Sequence, residues 1–135
     1  MTVCYIYGME TLIVAGTEKT PDINFNFNTG KLYIGGRSYA SDTYEFYNPL
    51  ITWVNEYTTK SKDDTILEIK LDYFHSVSVK YLTNIIKKLI NLKENGKSLK
   101  IVWIFTEDED DEACDLGKNI ERELNIKFDF ILVSE

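Results

Sequence analysis

The chain has 135 residues, the length of one domain, and a hydrophobic fraction of 44%, enough for a single core. Its 22 acidic residues against 15 basic ones give a net charge of −7, which disfavours nucleic acid as the main partner because phosphate binding needs a basic face. Two distant cysteines, Cys4 and Cys114, and a single histidine match no metal-ligand spacing. No run is long enough to span a membrane. The expectation is a cytoplasmic protein with reduced thiols, no metal and no cofactor.

The N-terminus, MTVCYIYGMETLIVAG, is apolar but has no basic leading segment and no clear cleavage site, so it does not read as a signal peptide. Residues 1–8 read either as an extra strand or as an upstream extension, and the whole of 1–135 reads as one domain, with 1–10 as the outer limit of such an extension. Leu12 to Ala15 is a short apolar strand. Residues 23–27, INFNF, alternate strictly, and the NTG turn at 28–30 leads into KLYIG, so 23–35 predicts a β-hairpin. Tyr47, Leu50, Ile51 and Val54 give the apolar stripe of a first helix. Pro49 favours a start with Asn48 as N-cap and Pro49 in the first helical position; a longer, kinked helix from near Asp42 is the competing reading.

Residues 65–71 alternate as a strand, and a helix from about Ser76 to Glu94 follows, stopped by Asn95-Gly96. LKIVWIFT, residues 99–106, is a near-continuous apolar run, the pattern of a strand covered on both faces. Ala113, Leu116, Gly117, Ile120 and Leu124 mark a third helix, and 127–133 closes the chain as a strand. Strand–helix alternation requires parallel neighbours and right-handed crossovers, while the hairpin adds antiparallel strands. The fold class is therefore α/β, a mixed sheet with an N-terminal hairpin and helices packed against it.

The densest polar chemistry lies at one junction, DYFHSVS, residues 72–78, between a strand and the next helix. In open α/β sheets, functional groups gather beyond the carboxyl ends of the strands. Three jobs are open to the Ser76 hydroxyl there. As an N-cap it would stabilise the helix by about 1 kcal/mol. As a nucleophile it would need a base, but sequence neighbours such as His75 rarely pair in that way, no G-x-S-x-G elbow is present and no second histidine exists. As a phosphoacceptor it would carry its phosphate at a helix N-terminus, where anions are favoured, and would add close to two negative charges to a partner surface.

TPDINFNFNTGKLYIGGRSYASDTYEFYNPLITWVNEY, then LDYFHSVSVKYL, then IVWIFTEDEDDEACDLGKNI, resembles the SiaC family of bacterial regulatory phosphoproteins over about residues 11–132. The specific parts are Thr20-Pro21, GRSY at 36–39, FYNPL at 46–50, YFHSVSVK at 73–80, and Trp103 ahead of an acidic segment. The resemblance implies a STAS-like domain, related to anti-sigma-factor antagonists, and no enzymatic activity. It implies that a Ser/Thr kinase phosphorylates the start of the helix after the strand, that a PP2C-like phosphatase clears it, and that the unphosphorylated form activates a diguanylate cyclase in cyclic-di-GMP and biofilm signalling. The matching acceptor is Ser76, with Ser78 as the fallback, because His75 and Val77 depart from the Asn and small hydroxyl residue usual around it. The candidate partner-binding residues are Tyr73, Phe74, His75 and Lys80; the competing reading has Tyr73 and Phe74 pack or rim the junction and His75 as a partly exposed loop residue.

Two other functions remain open on the sequence: an anti-sigma-factor antagonist, and a small enzyme or ligand-binding domain built on Asp72, His75 and Ser76. The acidic run EDEDDE at 107–112 lacks the glycine and spacing of an EF-hand and reads as a solvated loop leading into a helix start. Arg37, in GGRSY, reads as a surface turn residue, with a phosphate or a partner acid as the functional alternative.

Overall fold

Alternating apolar and polar residues drive the first part of the chain into antiparallel strands, and longer apolar runs separated by amphipathic helices build the rest. The computed structural model describes residues 3–5 (backbone only), 11–39, 43–106 and 112–134. The elements are β1 (Val3–Tyr5), β2 (Thr11–Val14), β3 (Asp22–Asn26), β4 (Lys31–Ser38), α1 (Thr43–Lys60), β5 (Asp64–Phe74), α2 (Ser76–Glu94), β6 (Ser98–Thr106), α3 (Glu112–Leu124) and β7 (Asp129–Val133). They form one seven-stranded sheet whose strands lie side by side in chain order. β1 to β4 pair antiparallel, and β4 to β7 pair parallel. Residues 3–5 are thus an additional strand on the edge. Among the described residues no helix is long and apolar enough to cross a membrane.

The predicted hairpin is present as β3 and β4. Gly30 turns it with φ +71°, its N–H donating to the Asn26 carbonyl at 3.0 Å. α2 spans the predicted residues and ends where Gly96 takes φ +80° and Lys97 N–H returns to the Leu92 carbonyl at 3.0 Å.

α1 differs from the favoured expectation. It begins at Thr43, so Asn48 is not an N-cap and Pro49 lies inside the helix. Energy decides the matter. An interior proline costs about 3 kcal/mol, since it cannot donate to the Glu45 carbonyl and crowds it. Starting the helix earlier buries Phe46 and Tyr47 ahead of Leu50, Trp53, Val54 and Tyr57, and each large apolar side chain buried is worth roughly 1.5–3 kcal/mol.

All three helices pack on one face. Leu67, Ile69 and Leu71 of β5 and Leu99, Ile101 and Trp103 of β6 share a single core with α1, α2 and Ile120 of α3. Trp103 Nε1 donates to the Ala113 carbonyl at 2.9 Å, and a Cβ at Gly117 would come within 2.7 Å of the indole, so the glycine lets α3 lie on that ring. The expectation that 99–106 is covered on both faces is therefore corrected. On the bare face Lys100 is exposed and Ile104 half-buried, although Val102 is 6% exposed. The flanking strands, which place Glu68 and Asp129 on either side of Val102, shield it without a second helix layer. Because β4 to β6 run parallel and each is followed by its helix, α1, α2 and α3 all begin beyond the carboxyl ends of these strands, at one edge of the sheet.

Candidate functional site at the start of α2

The junction is held in place by backbone geometry first. β4 and β5 run in register from Lys31↔Ile66 to Gly36↔Leu71, then skip, so that Arg37 pairs with Tyr73 and Asp72 is left as the extra residue of a bulge. Gly36 takes φ +98° at this irregularity, a conformation that side chains rarely adopt. One residue past β5, His75 N–H donates to the Ser38 carbonyl at 2.8 Å, which ties the start of α2 to the end of β4.

His75, not Ser76, is the N-cap. Its backbone is extended (φ −69°, ψ 150°), its carbonyl accepts the first helical bond from Val79 N–H, and its Nδ1 accepts from Val77 N–H at 3.2 Å. The hydroxyl is the commoner capping group, so the sequence points to Ser76; an imidazole with a free Nδ1 does the same job one residue earlier. That bond sets the tautomer, with the proton on Nε2, and commits the ring to the cap. Ser76 then occupies the first helical position, exposed.

Ser78 has the opposite environment. It is fully buried and sits in a chain of hydroxyls. Ser38 Oγ donates to Ser78 Oγ at 2.8 Å, and Ser78 Oγ donates to the Tyr39 carbonyl at 3.4 Å. Ser38 has only one proton to give, so the 2.7 Å bond between Tyr47 and Ser38 must be donated by Tyr47. The chain runs Tyr47 → Ser38 → Ser78 → Tyr39 carbonyl and satisfies every buried hydroxyl in it. Burial pushes the Tyr47 phenol up to about 12, with the nearby Ser38 and Ser78 hydroxyls pulling the other way.

Around Ser76, Tyr73 is 41% exposed, Phe74 is half-buried against the core, and Lys80 is exposed on the next turn. The cleft between β5, α2 and α3, lined by Leu71, Tyr73, Phe74, Val79 and Leu116 among others, holds about 200 Å³, less than the roughly 300–1,000 Å³ of small-molecule sites. The structure brings Tyr73, Phe74, His75 and Ser76 together at one edge. Tyr39, Ser38 and Tyr47 belong to the same assembly and were missed by sequence reasoning. Tyr47 reads only as part of an apolar stripe, and the GRSY motif gives no sign that its serine points inward. Of the acidic run 107–112, only Glu112 lies within the described residues, at the start of α3.

A mixed sheet covered on one face, with an exposed hydroxyl at the first turn of a helix beyond a central strand, defines a small α/β module with a polar, solvent-facing edge. The chain belongs to the SiaC family of regulatory phosphoproteins, whose family model matches residues 14–133. The uncharacterized protein PA14_02130 of Pseudomonas aeruginosa strain UCBPP-PA14 is 27% identical over 97 residues, 72% of this chain and 77% of that protein. SiaC of P. aeruginosa has the same fold, with a TM-score of 0.78 at 24% identity over 93% of this chain and 99% of that one. SiaC in the crystal structure of the diguanylate cyclase SiaD with its activator SiaC, also from P. aeruginosa, matches with a TM-score of 0.80 at 22% identity, covering 92% and 99% of the two chains.

Proposed function

We propose that this chain is a non-enzymatic, cytoplasmic regulator whose phosphorylation on Ser76 controls its binding to an output protein, a diguanylate cyclase in cyclic-di-GMP and biofilm signalling. A Ser/Thr kinase adds the phosphate and a PP2C-like phosphatase removes it. The observation that carries this reading is the contrast between the two hydroxyls of one helical turn: Ser76 is open to an incoming kinase, whereas Ser78 is fully buried and both donates and accepts within the core. Membership of a family of regulatory phosphoproteins and the activator role of P. aeruginosa SiaC toward SiaD support the output. Tyr73, Phe74, His75 and Lys80 form the partner face in this reading. A phosphate on Ser76 is placed well for the helix, at its positive end, and badly for a complex, because an unpaired charge forced into an interface costs several kcal/mol.

The test is to phosphorylate the protein with its cognate kinase, map the phosphate by peptide mass spectrometry and titrate the cognate cyclase calorimetrically. One phosphate on Ser76 is expected. Phosphorylated protein should bind at least about tenfold more weakly than wild type, which corresponds to about 1.4 kcal/mol. Ser76→Glu should give a partial effect, as it carries less charge than phosphate, and Ser76→Ala none. Equal affinity of the phosphorylated and unphosphorylated forms overturns the proposal.

A further inference from the structure

Among the described residues seven large hydrophobic side chains are exposed, and four of them, Tyr39, Tyr44, Tyr73 and Val77, lie at the edge where the helices begin. Tyr39 and Tyr73 stack on each other, with ring centroids 4.8 Å apart and planes inclined by 31°, while remaining 38% and 41% exposed. Beside them is a shallow hollow of about 330 Å³ lined by Glu18, Asp22, Arg37 and Asp72 together with the backbone-rich turn at 16–20. Neither ring lines the hollow, but the backbone joins both to its lining residues. Tyr39 N–H donates at 3.0 Å to the carbonyl of Lys19, which sits between the lining residues Glu18 and Thr20. Tyr73 follows Asp72 in the chain and pairs with Arg37 in register.

The charges of the hollow are unbalanced. Three carboxylates face one guanidinium, and among the described residues none of the four is within ion-pair distance of an opposite charge. Every lysine, arginine and histidine of the chain is among those residues. The Tyr33 hydroxyl on the neighbouring sheet face registers the negative field: it is raised above the ordinary value by burial first, then by Asp22, Asp72 and Glu68.

We propose that the Tyr39–Tyr73 pair and the adjoining acidic hollow are the docking point for an arginine of the output diguanylate cyclase. Of the natural side chains, arginine meets both halves of the surface best. Its planar, weakly hydrated cation stacks on aromatic rings, and its fork of N–H donors pairs bidentately with a carboxylate such as Asp72. Tyrosine and arginine are both enriched among the residues that carry most of the binding energy at protein interfaces. The inference rests on the switch reading above.

The experiment titrates the full-length cognate cyclase against wild type, Asp72→Asn, Asp72→Lys and Tyr73→Leu, in a salt series, with thermal melts confirming that each variant folds. Asp72 is exposed and has no register partner, so its variants should melt as wild type does. Asp72→Asn should weaken binding about 5-fold and flatten its salt dependence, Asp72→Lys at least about 30-fold, and Tyr73→Leu about 10-fold. Replacing the cyclase's arginines by lysine one at a time should find one position that costs about as much as Tyr73→Leu. Unchanged or tighter binding by Asp72→Lys, with phosphorylation still weakening the wild type, overturns the docking point and leaves the switch standing. Sensitivity to Asp72→Lys with no response to phosphorylation keeps the docking point and overturns the switch. A cyclase that does not bind wild type overturns both.

Discussion

α1 is fixed to the sheet at both ends by a buried tyrosine, and the two anchors are built differently. At the lower end, Tyr57 shares a 2.7 Å hydrogen bond with Thr65 at the start of β5, between the stacked ring of Trp53 and the edge of Phe27. That bond joins one helix to the start of one strand, with the Lys62 backbone in the adjoining loop also close to the phenol. At the upper end, Tyr47 stacks on Tyr81 of α2 and begins the hydroxyl chain through Ser38 and Ser78 to the carbonyl of Tyr39. It links α1, β4 and the first turn of α2, and it ends on the residue whose ring is half of the exposed aromatic pair. At the upper end, the bonds that stabilise the helix are also the ones that hold the turn carrying Ser76.

The largest expected effect contrasts the two serines that sit on opposite sides of this upper anchor. Ser78→Asp places a carboxylate where the protein provides one hydroxyl donor and one carbonyl, the second of which repels it. An uncompensated buried charge of this kind costs about 3–5 kcal/mol. Ser76→Asp puts the same charge at an exposed first helical position, where the dipole favours it, and should change stability by no more than about 0.5 kcal/mol in either direction. Urea denaturation of the two variants measures both. A Ser78→Asp protein as stable as wild type would mean that the hydroxyl chain is not buried in solution, and the contrast between the two anchors would be lost.

Much of the upper anchor was hidden in the sequence for physical reasons. Hydrophobic periodicity reports which face of an element is buried, so β5, α2, β6 and the stripe of α1 were legible, as was the gathering of Tyr73, Phe74, His75 and Ser76 at one edge. Periodicity says nothing of a polar atom that is buried because its partner comes from elsewhere in the chain. Ser38 and Ser78 are 40 positions apart in sequence and 2.8 Å apart in space, and no local pattern carries that pairing. Pro49 misled for a related reason. Its cost is local and visible, while the burial of Phe46 and Tyr47 that offsets it is tertiary and is not. The cap was misplaced by one residue because a propensity for hydroxyl caps cannot register that an imidazole nitrogen is available beside one.

A smaller effect separates the anchors by pH. Burial favours the neutral phenol, so the folded-state value for Tyr47, about 12, lies above the unfolded value of 10.0. The unfolded chain releases this proton first as pH rises. The stabilisation is therefore complete below pH 10 and lost progressively between pH 10 and about pH 12. Two units correspond to roughly 2–3 kcal/mol at the most. Tyr57 is raised in the same direction, chiefly by burial. Urea melts at intervals from pH 8 to pH 12 should show a falling midpoint whose slope is visibly reduced in Tyr47→Phe. A slope unchanged in that variant would mean that the upper phenol is open to solvent.

The smallest expected effect sets the two anchors directly against each other. Tyr57→Phe and Tyr47→Phe each remove one buried hydroxyl and keep the ring, so each should cost about 1–1.5 kcal/mol of stability. In Tyr57→Phe the Thr65 hydroxyl and the Lys62 backbone lose a partner, both far from the first turn of α2. In Tyr47→Phe the Ser38 oxygen loses its donor, and Ser38 is free to turn its own proton away from Ser78, which loosens the first turn of α2. The two variants should therefore be alike in urea and unlike at the switch. Phosphorylation of Ser76 by the cognate kinase should proceed with an unchanged kcat/KM in Tyr57→Phe and about 3-fold lower in Tyr47→Phe, and amide exchange at Val77 to Val79 should speed up only in the latter. Ser78→Ala leaves the Ser38 proton without its acceptor from the other side of the same bond and should reproduce the Tyr47→Phe kinetics. If all three variants are phosphorylated at the wild-type rate, the hydroxyl chain holds up the fold and has no hand in presenting Ser76.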